Sequence, residues 1–160
     1  MKTILKPGRQ KGVAAIELAF VLPLMLILAF GITELGRALY QYNGLVKATR
    51  GAVRYLAQQD LANADLGLVH QKTQNIAVCG NENCSGLPSL VTGLSTSLVK
   101  VCDYATSTCE PTHKSVETGQ GTVDMASVAI EGFAFKSIVT LVIPDMTFAP
   151  IKTTMASRYY

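Results

Sequence analysis

Residues 18–32, LAFVLPLMLILAFGI, contain no charged side chain. Joined to residues 13–16 they form an apolar run of about 20 residues with one ionisable group inside it, Glu17. A helix of that length crosses a hydrocarbon layer of about 30 Å. Lys2, Lys6, Arg9 and Lys11 all precede the run. Cations on that side keep the N-terminus in the cytoplasm and send residues beyond about 34 outward. A single pass with an exported C-terminal part is therefore expected. A buried core helix is the soluble alternative, and it gives no reason for such asymmetric flanks. A cleaved secretory signal is the closer rival, since Ala29, Phe30 and Gly31 offer small residues spaced for a cut after Gly31. Glu17 inside the apolar region, and a helical pattern that continues past Gly31, argue against it.

The formal charge of +3 comes from 14 basic and 11 acidic residues. Residues 1–12 hold four of the basic ones and none of the acidic ones, so the remainder carries 10 against 11. The basic balance belongs to a short N-terminal tag. It gives no support to a nucleic-acid partner, which needs a basic patch on the folded domain.

Glu17 is expensive where it stands. A carboxylate in a membrane segment costs a few kcal/mol unless it is neutralised, paired or close to the interface. It lies five residues beyond Gly12, about 7 Å along a helix. A cut between Gly12 and Val13 would place a free ammonium at nearly the same depth. That ammonium is reached more easily on a neighbouring molecule than on the same rigid helix. The plainer alternative is a glutamate that snorkels to the interface.

The stretch KGVAAIEL resembles the class III signal of type IV pilin-like proteins: a basic leader, Gly12, then Glu at the fifth position of the mature chain. The continuation, FVLPLMLILAFGITELGRALYQYNGLVKATRGAVRYLA, resembles the N-terminal signature of TadE-like and TadG-like proteins of the tight-adherence (Flp) pilus machinery. Glu17, Pro23, Gly31, Glu34, Gly36, Arg37 and Tyr40 carry the likeness, with ATRGAVRYLA at 48–57. Leu18 follows the glutamate where the pilin-like motif often has an aromatic. The resemblance implies cleavage by a prepilin peptidase after Gly12, with Val13 as the new N-terminus. It assigns Glu17 to subunit assembly and implies other pilin-like subunits and the pilus assembly platform as partners, beside the lipid bilayer. A minor pseudopilin that helps to initiate or prime pilus assembly at the bacterial inner membrane is the implied function. A permanently anchored envelope protein that binds a partner through its exported domain is the alternative.

Beyond Thr33 the pattern becomes amphipathic. Leu35, Leu39, Tyr42, Val46, Thr49, Val53 and Leu56 follow alternating steps of four and three, a stripe on one helix face. Glu34 and Arg37, three apart, are placed to pair on the exposed side. One continuous helix over 13–58 is expected, kinked at Pro23 and weakened at Gly44 and Gly51. Its stripe seats the chain's own globular domain, with a homo-oligomeric coiled coil as the alternative. DLANADLGLVHQKTQNIAV reads as a second, shorter helix starting near Asn63. Its His70 stands alone and is taken as a surface or packed residue.

Cys79, Cys84, Cys102 and Cys109 all lie beyond the apolar run. An even count in an exported region implies disulfides in an oxidising compartment. Three pairings are possible, and the short spacings favour Cys79 with Cys84 and Cys102 with Cys109. Zinc is the rival, but tight C-x2-C pairs are absent. Strands are expected at 98–104, 124–135 and 149–160, separated by turn-rich spans, TSTCEPTHKSVETGQGT and IPDMTFAP. KSIVTLVI at 136–143 fits strand or short helix. The TadE-like pattern implies a short connecting helix there and a closing strand after it.

The expected fold class is α+β: a long N-terminal helix, membrane-spanning in its first half, packed on a small antiparallel sheet in a pilin-like way. The expected divisions are a leader at 1–12, a transmembrane helix at 13–33, its exported continuation at 34–58 and an exported α+β domain with disulfides at 59–160. No G-x-S-x-G, H-E-x-x-H or P-loop occurs. His70 and His113 are the only histidines. Gly119, Gln120 and Gly121 read as a turn, and Asp124 and Glu131 as scattered strand carboxylates. No enzyme activity, catalytic residue, metal or cofactor is expected.

Overall fold

The fold is known from a computed structural model that describes residues 11–106, 113–119 and 121–158. Helix α1 (Lys11–Leu56) is 46 residues long, about 69 Å at about 1.5 Å per residue. It runs through Pro23 without a break. Helix α2 (Leu66–Cys79) starts on Asp65, whose side chain accepts the Leu68 N–H at 3.2 Å. It ends at Gly80, whose φ of 77° gives the left-handed cap that glycine adopts without strain. Strands β1 (Val99–Asp103), β4 (Met125–Ile130) and β7 (Ile151–Ala156) form one antiparallel sheet in the order β1-β4-β7. Two short hairpins sit beside it: β2 (Val116–Thr118) with β3 (Gly121–Val123), and β5 (Ala134–Phe135) with β6 (Met146–Thr147).

The second half of α1 lies across this sheet. Val99, Ile130 and Ile151 stand side by side in register, as do Val101, Val128 and Thr153. With Ala126 these residues face α1 and join Leu45, Ala48, Ala52, Val53 and Leu56 in one core. The Thr49 and Thr153 hydroxyls meet at 2.9 Å across the contact, so the buried Thr49 hydroxyl is paired with the half-buried Thr153. Val69 and Ala77 of α2 close the core from the side. Beyond α1, Arg158 donates its N–H to the Ala57 carbonyl at 2.9 Å, which ties the end of the chain to the end of the helix.

Several local expectations give way. The buried stripe of α1 holds at Thr49, Val53 and Leu56 but not nearer the membrane, where Glu34, Ala38 and Leu45 are buried and Leu35, Leu39 and Tyr42 are exposed. Glu34 is therefore an inward-facing residue, not a surface one. The expected strand at 124–135 breaks at Gly132, whose φ is 71°, and resumes as β5. The span read as turn-rich contains the β2–β3 hairpin; Gln120 at its tip lies outside the described residues. Residues 136–143 form neither helix nor strand but a loop closed by one turn, in which Val142 and Ile143 both donate to the Val139 carbonyl.

Two glycines of α1 differ in kind. A Cβ at Gly44 would lie 2.8 Å from Val91 Cγ2, whereas nothing lies within 4 Å of one at Gly51. Gly44 is a close-approach site, and Gly51 is only a weak helix former. Gly51→Ala is expected to raise domain stability by about 0.5–1 kcal/mol. Gly44→Ala is expected to lose that gain to the clash. Denaturation midpoints of the two variants settle the contrast; equal gains would remove the steric distinction.

Candidate functional site

The first half of α1 is bare. Val13, Ile16, Leu18, Phe20 and the large apolar residues that follow to Ile32 are all exposed. In the most apolar 18-residue window of the helix no residue is buried. The bare part, residues 13–33, measures about 31 Å at about 1.5 Å per residue. It matches the hydrocarbon thickness, and its large apolar side chains are exposed all round the helix. Gly12 and Val13 stand at its start, and Glu17 is exposed on it. Among the described residues no hydrogen-bond or ion-pair partner is found for Glu17. Pro23 lies near its middle; it has no N–H to give the Ala19 carbonyl, which leaves one backbone acceptor unmatched inside the apolar stretch.

Where the bare part ends, a polar junction begins. Glu34 is only 3% exposed. Its carboxylate accepts the Ile138 N–H and the Ser137 hydroxyl, each at 3.3 Å, and meets the Arg37 guanidinium at 3.3 Å. Arg37 also donates to the Lys136 carbonyl at 2.5 Å and lies over the Phe135 ring, 4.9 Å from its centroid. Phe135 in turn stacks on Phe148, which also contacts Phe133 and Tyr42. A charge on each of two side chains of one helix turn thus fixes a segment about a hundred residues further along the chain. Lys136 pairs with Asp145 at 2.7 Å, and that ammonium holds the Asp145 carboxyl below its usual value.

On the other side of α1 a groove of about 750 Å³ runs between the helix and the end of α2. Arg37, Tyr40, Gly44, Lys47, Ile76 and Leu90 are among its walls. Its two cations and its largely apolar floor suit an extended or helical segment of another molecule more than a small polar substrate.

His70 does not stand alone. Its Nε2 meets the Asp103 carboxylate, which is fully buried. The other Asp103 oxygen accepts the Ala105 and Thr106 N–H groups at 2.9 and 2.8 Å. Burial alone would raise this carboxyl, but the hydrogen bonds from His70, Thr106 and Ala105 outweigh it and hold the group below its usual value. Every contact is structural: the pair ties α2 to the turn after β1. A carboxyl whose folded value is depressed stabilises the fold when ionised. That contribution is present at neutral pH and is lost as pH falls through the usual carboxylate range, about 4, and below. Asp103→Asn is therefore expected to flatten the acid limb of the stability curve, read from denaturation midpoints between neutral and acid pH. An acid limb unchanged from the parent would remove Asp103 as its source. His113 is buried as well and bonds Ser127 at 2.7 Å, joining the β2–β3 hairpin to the back of β4.

Cys79 and Cys84 are bonded to each other across the end of α2. Cys102 on β1 is also disulfide-bonded; Cys109 lies outside the described residues. Among the described residues no group of three or more His, Cys, Asp or Glu side chains is placed to hold a metal ion. The leader residues Lys2, Lys6 and Arg9 also lie outside the described set.

Sequence reasoning missed Glu34 and Asp103 as the organising carboxylates. Spacing reaches the Glu34–Arg37 pair and the Ala105 and Thr106 bonds of Asp103, but Ser137 and Ile138 on Glu34 and His70 on Asp103 lie far along the chain, where no spacing rule reaches. The one available signal was the apolar run at 137–143 in an otherwise polar stretch, which marks a segment that must be held against something.

No curated protein and no solved structure matches the chain. The family model described as "TadE-like protein" matches residues 12–54, the stretch that contains the bare half of α1, Glu17, Pro23, the Glu34–Arg37 pair and most of the packed half. Over residues 12–54 the chain is similar to the TadE-like family.

Proposed function

We propose that the protein is a minor pilin-like subunit, a pseudopilin, which acts in the assembly of a tight-adherence pilus from the bacterial inner membrane. The observation that carries this is the construction of α1. One helix is bare for the length of a bilayer and packed for the rest, and the TadE-like match spans both parts. A helix continuous through Gly31 also speaks against a secretory cut at that point, which would sever it in mid-course. The four basic residues before the apolar run support a cytoplasmic N-terminus and an exported α+β domain, and the Cys79–Cys84 bond fits an oxidising compartment.

Processing follows from the same reading. A prepilin peptidase cuts between Gly12 and Val13, releasing the basic leader. Glu17 then pairs within the membrane with the Val13 ammonium of an adjacent pilin-like subunit. The role of the exported domain is recognition and assembly.

N-terminal sequencing of the protein recovered from membranes tests the proposal. A start at Val13 is expected. Replacing Gly12 with a bulky residue is expected to leave the leader attached, since the peptidase needs a small residue there. Normal processing of that variant would show the site to be wrong. An intact leader on the parent protein would favour a permanently anchored envelope protein that uses its exported domain to bind a partner.

A further inference from the structure

The loop at 137–143, SIVTLVI, has no role in the core. Its seven residues carry no charge, and among the described residues Leu141 at its tip is the most exposed large apolar side chain, at 94%, with Ile138 at 72%. A loop facing water has no reason to end this way. Nor is it loosely attached. Its base is closed by the Lys136–Asp145 pair and by the Ser137 N–H on Asp145 Oδ1 at 2.9 Å. Glu34 and Arg37 hold residues 136–138 through the bonds given above. The turn at Val139 satisfies the backbone of Val142 and Ile143. Polar groups are thus collected at the base and apolar ones at the tip.

The direction of the loop decides what the tip meets. Its base is fixed at Glu34 and Arg37, where the bare helix ends. Its far limb packs at Gly31: Val142 Cγ1 lies 3.4 Å from where a Cβ on that glycine would stand. Gly31 belongs to the apolar run, about 5 Å below Glu34 at about 1.5 Å per residue. The loop therefore descends from the polar junction along the spanning helix, and its apolar surface continues that of the helix.

We propose that residues 137–143 form a second membrane-contacting element, which lays Ile138 and Leu141 into the lipid at the headgroup–acyl boundary beside Gly31. The occupant is the bilayer itself, in the leaflet where α1 emerges. The depth fits shallow insertion of an apolar surface with charged groups left in the headgroup layer. Two points of contact, one spanning and one shallow, fix the rotation of the domain about the α1 axis relative to the membrane plane. The proposal rests on the reading that α1 spans a bilayer.

The chain has no tryptophan, so single-tryptophan variants of the full-length protein report depth directly. Met25→Trp, Leu141→Trp and Lys152→Trp are reconstituted in phosphatidylcholine vesicles brominated at different acyl positions. Met25→Trp is expected to lose most of its emission to bromines deep in the acyl chain. Leu141→Trp is expected to lose most of its emission to bromines near the carbonyl end, and Lys152→Trp, on an exposed face of β7, to keep it. Lys152→Trp also shows whether a surface tryptophan draws itself into lipid. Red, unquenched emission from Leu141→Trp beside a quenched Met25→Trp would place the loop in water and overturn the proposal. Blue-shifted emission that no brominated lipid quenches would place protein over the loop and overturn it equally. Unquenched Met25→Trp would instead remove the spanning helix, a separate failure from that of the loop.

Discussion

Glu17→Leu is expected to insert, to be cut after Gly12 and to accumulate like the parent, yet to lose its cross-links to other pilin-like subunits and the pili that depend on them. Insertion does not need the carboxylate, because the uncharged run at 18–32 and the basic leader suffice. Association does. A lone carboxylate or ammonium in hydrocarbon costs about 3 kcal/mol, on the order of a hundredfold in an association constant. In the proposed pairing, Glu17 and a neighbour's Val13 ammonium would offset each other only at one axial stagger of the two helices, so the pair would select register as well as contact. Glu17→Asp is expected to keep part of the function, since the charge remains while the reach shortens. Membrane cross-linking and a count of surface pili measure both. Parental levels of each in Glu17→Leu would reduce Glu17 to a tolerated interfacial residue.

Phe135→Ala is expected to cost about 3–5 kcal/mol, a large part of the roughly 5–15 kcal/mol that holds a domain together. Phe135 is fully buried, stacks on Phe148 and lies under the Arg37 guanidinium. Removing the ring opens a cavity and takes away the surface on which Arg37 rests. The bonds from Arg37 to Lys136 and from Glu34 to residues 137 and 138 depend on that seat. The variant is therefore expected to become sensitive to protease within 136–148 before the domain as a whole unfolds. Phe135→Leu, which keeps most of the volume, is expected to cost less than half as much. Denaturation midpoints and the positions of early cleavage check this. A parental midpoint in Phe135→Ala would mean that the junction does not rely on the aromatic cluster.

The long helix and the sheet order of the fold differ in how far residues announce them. The apolar run and the TadE-like signature fix α1 almost to its ends, and alternation in IKTTMA marks β7 with Ile151 inward and Lys152 outward. The face of α1 near the membrane is another matter. There Leu35, Leu39 and Tyr42 point away from the domain while Glu34 and Ala38 are covered. Hydrophobic periodicity finds an apolar face, but near a bilayer the face that avoids water need not be the face toward the chain's own core. Small residues, Ala38, Ala48 and Ala52, mark the packed side because they let other backbone approach closely. The Glu34 and Asp103 contacts were illegible for a different reason. Beyond the local bonds to Arg37, Ala105 and Thr106, each carboxylate meets groups that only the tertiary fold brings to it, and a backbone N–H such as that of Ile138 carries no residue identity to read.

The way α1 enters the domain also has a mechanical meaning. The helix is held from Leu45 to Leu56 by the core and at Glu34 and Arg37 by the 136–138 bonds at the mouth of the clamp. It behaves as a cantilever set in a block. Axial pull and torque on the block pass undiminished to the free arm, while bending collects at Pro23, about 16 Å below the mouth at about 1.5 Å per residue. Lifting the block by one helical turn lifts Glu17 by the same distance, so any machine that grips the folded domain also sets the height of that carboxylate.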